Sequence, residues 1–127
     1  MSALVLDAGA LIAVDRDHRP TMARLKVAQR GGLDLRSTGA VIAQVWRDPA
    51  GHQANLSRLM KAVDVRAVDE RLGRAAGVLL GRAGGGDAID ATVVAAAAAG
   101  DRILTSDPHD LGRLVAASGR AVLIVPV

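Results

Sequence analysis

Aspartates dominate the acidic side chains of this sequence: twelve Asp stand against a single Glu, Glu70. Four of them sit where a divalent ion would want them. Asp7 closes the apolar run Ala3-Leu4-Val5-Leu6, and Asp107 closes the segment Arg102 to Ser106. Asp87 and Asp90 lie three residues apart at the start of an apolar helical stretch, so their carboxylates share a face. Clustered carboxylates repel one another in a partly dry site and need a cation. Hard oxygen donors suit Mg²⁺ or Mn²⁺, ions that also bind substrate phosphate. One or two such ions support phosphodiester hydrolysis. Each acid also has an ordinary structural reading. Asp7 before Ala8-Gly9 suits a turn or cap, Asp87 after three glycines suits an N-cap, and Asp90 is a first-turn acid favoured by the helix dipole. Asp107 before Pro108 is a plausible cap, and Asp110 reads only as a dipole-favoured residue of the same helix.

The elements that must position these acids follow from the apolar pattern. Ala3–Leu6 reads as a buried strand, Leu33–Arg36 as a second, Val63–Val68 as a third, Arg102–Thr105 as a fourth and Val122–Val125 as a fifth. Helical spacing predicts a short helix from about Ala10 and one over Thr21–Arg30 that stops at Gly31-Gly32. A helix capped by Ser37 or Thr38 ends at Asp48-Pro49, and another covers Asn55–Ala62. Asp69 caps a helix through Leu80, Asp87 opens one that runs to Gly100, and Pro108 starts the last. Strands alternating with helices predict an α/β sandwich on a mostly parallel five-stranded sheet, formed by residues 1–127 as one domain. In such sheets ligands bind beyond the carboxyl ends of the strands, where Asp7 and Asp107 stand. Asp87 and Asp90 reach the same edge only if their helix folds back along the sheet.

Composition narrows the chemistry further. The 127 residues are 50% hydrophobic and 23% charged, enough for a core without staples. No cysteine is present, which excludes disulfides, thiolate zinc sites, iron–sulfur clusters and a cysteine nucleophile. One Trp and no Tyr or Phe disfavour base-stacking platforms of the kind that read single-stranded RNA. The net charge of +3 allows an anionic partner, and fourteen of the sixteen basic residues are Arg, a side chain suited to phosphate. Neither a basic leader nor an apolar stretch of membrane-spanning length is visible, so a soluble cytoplasmic protein is expected.

Three segments together resemble the PIN domain, and in particular the VapC-type toxin ribonucleases of bacterial toxin–antitoxin pairs. They are Leu4-Val5-Leu6-Asp7-Ala8-Gly9-Ala10-Leu11-Ile12-Ala13, Asp87-Ala88-Ile89-Asp90-Ala91 and Ile103-Leu104-Thr105-Ser106-Asp107. The resemblance implies a PIN-like three-layer sandwich. It also implies Asp7, Asp90 and Asp107 as metal-site acids, with Asp87 sharing the metal or lying just behind it. The family's fourth acid, a Glu after the second strand, falls on Gln44, a neutral oxygen donor that removes one negative charge. Arg47, one turn on, is a candidate contact for RNA phosphate. The implied function is an endoribonuclease using one or two Mg²⁺ or Mn²⁺ ions, with a small antitoxin as partner and a homodimer as assembly. The Gln44 departure supports an alternative, a weakened PIN-like module that binds RNA or antitoxin without cutting. A phosphatase-like reading requires a second Asp two residues after the first, and Asp7-Ala8-Gly9 lacks it.

Overall fold

A computed structural model describes residues 2–47 and 52–127. The predicted stop at Asp48-Pro49 lies outside them. Five strands form one sheet: β1 (Ala3–Leu6), β2 (Asp34–Thr38), β3 (Val63–Arg66), β4 (Arg102–Thr105) and β5 (Leu123–Pro126). Their order is β3-β2-β1-β4-β5, and every pairing is parallel, so the sheet is wholly rather than mostly parallel. β1 is buried at all four positions, which explains its unbroken apolar run. The edge strands β3 and β5 are largely open to solvent.

The helices are α1 (Ala8–Asp15), α2 (Arg19–Arg30), α3 (Gly39–Val45), α4 (Ala54–Met60), α5 (Glu70–Ala83), α6 (Ala88–Ala95) and α7 (Pro108–Ser118). α1 packs on α2, α3 and α4, while α5, α6 and α7 pack on one another. Parallel crossovers are right-handed. The chain winds one way through β1, β2 and β3, then returns through β4 to β5, so the two helix groups cover opposite faces. This is the three-layer sandwich expected from the sequence. The strand order reverses between β1 and β4, and the crevice beyond their carboxyl ends is the topological switch point where such sheets bind ligands. As a crossover helix, α6 runs back along the sheet, so its N-terminus lies at that same edge. Among the described residues, no helix is long and apolar enough to cross a membrane.

One element is shorter than its sequence suggests. The alanine run predicts a helix to Gly100, yet α6 ends at Ala95. Helix propensity is overridden here by three side chains. Asp101 is buried and accepts the N–H groups of Ala98 and Ala3, each at 2.8 Å. Arg36 from β2 donates to Asp101 Oδ2 at 3.2 Å and to the Ala96 carbonyl at 3.1 Å. Arg120 takes the Ala97 carbonyl. Together they end the helix and tie β1, β2 and β4 at the amino edge of the sheet. Asn at position 101 would offer one acceptor where two oxygens now receive donors, so Asp101→Asn is expected to cost about 2–3 kcal/mol. Urea unfolding of the variant would read this directly.

Candidate metal centre

Three of the acids stand at helix starts, and they behave differently. Asp87 caps α6: its Oδ1 accepts the N–H groups of Ile89 at 2.8 Å and Asp90 at 3.0 Å. Asp7 and Asp107 occupy the cap positions of α1 and α7, yet neither side chain makes a capping hydrogen bond. Asp7 is only 5% exposed. Its Oδ2 accepts the Thr105 hydroxyl at 2.7 Å, and its Oδ1 has no hydrogen-bond partner among the described residues. The same Thr105 oxygen accepts the Asp107 N–H at 2.9 Å, so one buried hydroxyl sets Asp7 and Asp107 relative to each other. A carboxylate left partly unsatisfied in the interior is costly, and a cation is the usual remedy.

Oxygens of Asp90, Asp107 and Asp110 come within 4.8 Å of one another. Asp90 and Asp107 were expected in the site. Asp110 was read from the sequence as a dipole-favoured helix acid, and the structure instead adds its carboxylate to this trio. Asp7 and Asp87 flank the trio closely enough to act on it. Burial, followed by the charges of Asp7, Asp87, Asp107 and Asp110, pushes the Asp90 carboxyl up from 3.8 to about 7. Four like charges around one carboxyl are the pattern of a site waiting for a counter-cation.

A polar seam positions the trio. Thr38 caps α3 through the Val41 N–H and lies 3.1 Å from the Thr92 hydroxyl, which in turn donates to the Ile89 carbonyl at 2.6 Å. Ser37 donates to the Leu6 carbonyl at 2.8 Å. These contacts tie the first turn of α6, and therefore Asp90, to β2 and to the carboxyl end of β1. Gln44 lies on α3, which packs against α6. Its Oε1 is buried and has no hydrogen-bond partner among the described residues. Arg47 stands exposed just past α3, its Nη1 donating to the carbonyls of Ala43 at 2.9 Å and Trp46 at 2.8 Å.

Gly9 completes the wall. A Cβ built there would lie 2.2 Å from Ser106 Oγ, 2.6 Å from Ser106 Cβ and 3.0 Å from the Ser106 N. The first turn of α1 and the β4–α7 turn, which carry Asp7 and Asp107, therefore approach as closely as backbone allows. The donor set fits a hard divalent ion: carboxylate oxygens, with the Asp7 carboxylate and the Asp107 backbone both held by Thr105. Sequence reasoning missed Asp110; for Thr105 and Ser106 it left open a hydrogen bond to the metal site or a helix cap, and Thr105 makes the former. A Thr two residues before an acid at a strand end is the available signal for that role. Thr105→Val is expected to preserve the fold but to weaken divalent-ion binding about 10–100-fold, since residues that orient metal ligands contribute on that scale. A Mn²⁺ titration followed by the shift in melting temperature would measure it.

The doubly covered parallel sheet, with acids gathered at its switch point, agrees with the PIN-like sandwich that the sequence resemblance implies. No protein-family model and no curated protein matches the sequence. Among solved structures, a chain of VapBC2 from Rickettsia felis, crystallised bound to a DNA fragment from their promoter, superposes with a TM-score of 0.73. The match covers 98% of both chains at 11% sequence identity, so what the two share is the fold. The sequence resemblance to PIN domains is borne out at that level.

Proposed function

We propose that this chain is a metal-dependent endoribonuclease, the toxin half of a toxin–antitoxin pair. The observation that carries this reading is the convergence of Asp90, Asp107 and Asp110 beside the partly unsatisfied Asp7 at the switch point of a PIN-like sheet. Asp7, Asp90 and Asp107 would hold Mg²⁺ or Mn²⁺, as one ion or two, with Asp110 as an added donor. Asp87, whose Oδ1 is spent on the cap, contributes charge and its second oxygen. When bound, the ion supplies Lewis-acid polarisation of the phosphodiester and a more acidic water. Thr105 keeps Asp7 and Asp107 in register. Gln44 offers a neutral oxygen that orients without adding charge. Arg47 is the candidate phosphate contact at the end of α3, its Nη1 held by two carbonyls.

The Rickettsia neighbour is part of a VapBC2 assembly on promoter DNA, which supports an antitoxin as partner. A homodimer and a cytoplasmic location belong to the same reading. The decisive experiment incubates purified protein with RNA in Mn²⁺, in Mg²⁺ and in chelator. Cleavage in the first two only, lost in Asp7→Asn and Asp107→Asn proteins that remain folded by circular dichroism, is the expected result. A fully active double variant would defeat the proposal. The second reading, a PIN-like module that binds without cutting, is favoured by one observation: the position implied for a fourth acid is the neutral Gln44. RNA binding that is indifferent to EDTA, with no cleavage in Mn²⁺, would establish it.

A further inference from the structure

We infer that the pocket beside the acid cluster, at the far end of α1, seats a nucleotide flanking the scissile phosphate, with Arg16 and Arg19 as its phosphate clamp. The inference rests on the nuclease reading and adds to it where the RNA strand leaves the centre. The pocket measures about 520 Å³, within the size range of sites that hold small ligands. Gly9 and Ser106 form one end of it, and these are the residues whose close approach brings together the turns bearing Asp7 and Asp107. The pocket is thus continuous with the wall of the acid cluster. Ile12, Ala13 and Val127 give it an apolar side on which a base can lie.

Arg16 and Arg19 close the other end. Both are exposed, and neither side chain makes an ion pair or hydrogen bond among the described residues. Most other arginines near the sheet are committed: Arg36 to Asp101, Arg66 to Asp64, Arg113 to the Ala83 and Gly85 carbonyls, Arg120 to the Ala97 carbonyl. At about 1.5 Å of rise per residue, Arg16 stands about 13 Å along α1 from Asp7, a distance that suits a neighbouring nucleotide rather than the reacting phosphate.

The turn between the two arginines is held rigidly. Asp17 adopts a left-handed φ of 58°, uncommon outside glycine. His18 donates its N–H to the Ala13 carbonyl at 2.9 Å and caps α2 by accepting the Thr21 N–H at Nδ1. The clamp backbone is therefore set before any ligand arrives, which limits the ordering cost of binding. Asp17 also lines the pocket and tempers its positive charge, which favours a single phosphate over a polyanionic peptide.

The test uses a fluorescein-labelled single-stranded oligoribonucleotide and the full chain. Anisotropy in EDTA across a salt series compares the parent, Arg16→Ala/Arg19→Ala, and a control, Arg71→Ala/Arg82→Ala. The clamp variant is expected to bind at least about tenfold more weakly, and its slope of log K against log salt should fall by about 1.4, two single-strand phosphate contacts at about 0.7 each. The control should change less than about twofold, and in Mn²⁺ the clamp variant should raise KM with kcat nearly unchanged. Parental affinity and slope in the clamp variant, with RNA still cleaved by the parent, would overturn the subsite and leave the nuclease reading intact. A parent that neither binds nor cuts RNA removes both. Unchanged RNA binding together with lost binding of a poly-glutamate peptide would reassign the pocket to a protein partner and overturn the inference.

Discussion

Asp90→Asn is expected to yield a protein that melts higher than its parent without divalent ions and cleaves RNA far more slowly. Both effects have one source. In the fold, burial and four neighbouring carboxylates hold the Asp90 carboxyl at about 7, against 3.8 ordinarily. A carboxyl whose pKa rises on folding destabilises the fold once it ionises. That cost is absent below about pH 4, grows as pH climbs to about 7, and is complete above it. The group is partly open to solvent, so screening reduces the penalty to the order of 1 kcal/mol, or about 3–5 °C for a chain of this size. Asn removes the penalty and with it a ligand charge. Melting in EDTA at about pH 8 should place the variant above the parent, and the gap should shrink at about pH 5. Mn²⁺ should raise the parent's melting temperature and leave the variant's almost unmoved, because only a protein that binds the ion gains from it. Cleavage by the variant should fall by at least about 10²–10³-fold, the scale on which one preorganised charge-stabilising group contributes. Parent and variant melting together at both pH values would contradict the crowding of charge at this site.

Gly9→Val should act in the opposite sense, lowering stability and activity together. The new Cβ would fall 2.6 Å from Ser106 Cβ and 3.0 Å from its backbone nitrogen, so no rotamer change relieves the overlap. The β4–α7 turn must move away from α1, carrying Asp107 from Asp7. Overpacking of this kind costs about 3 kcal/mol, the upper part of its usual range. A displacement of about 1 Å between groups that must act together costs about 10²-fold in rate. Urea unfolding and single-turnover cleavage would report the two losses separately. Gly9→Ala, which keeps the Cβ clash with less bulk, should fall between parent and valine variant in both.

Much of this architecture was legible in the residues. The unbroken run of β1, the Thr38 cap, the Asp69 cap and the glycines after α5 each state their structure locally, because each depends on neighbours a few residues away. Asp7 and Asp107 announced themselves by type and place, at the ends of apolar strands. What stayed hidden depends on distant partners. Asp110 looks identical in sequence whether it serves only a helix dipole or also faces Asp90 across the crevice. The early end of α6 is set by Arg36 and Asp101, which lie 65 residues apart, against a helix-favouring alanine run. Gln44 is legible only as a departure from a resembling family, and its buried, unsatisfied oxygen emerges only when α3 docks.

The hydroxyl of Thr105 meets the Asp7 carboxylate across 98 residues of chain. Neighbouring strands β1 and β4 thus join segments far apart in the chain, and their contact cannot form before β4 is present. A prematurely released fragment lacking β4 presents Asp7 with nothing opposite it, whatever else has folded. Such a fragment also lacks Asp107 and Asp110, so the carboxylate trio cannot assemble without the segment from β4 through α7.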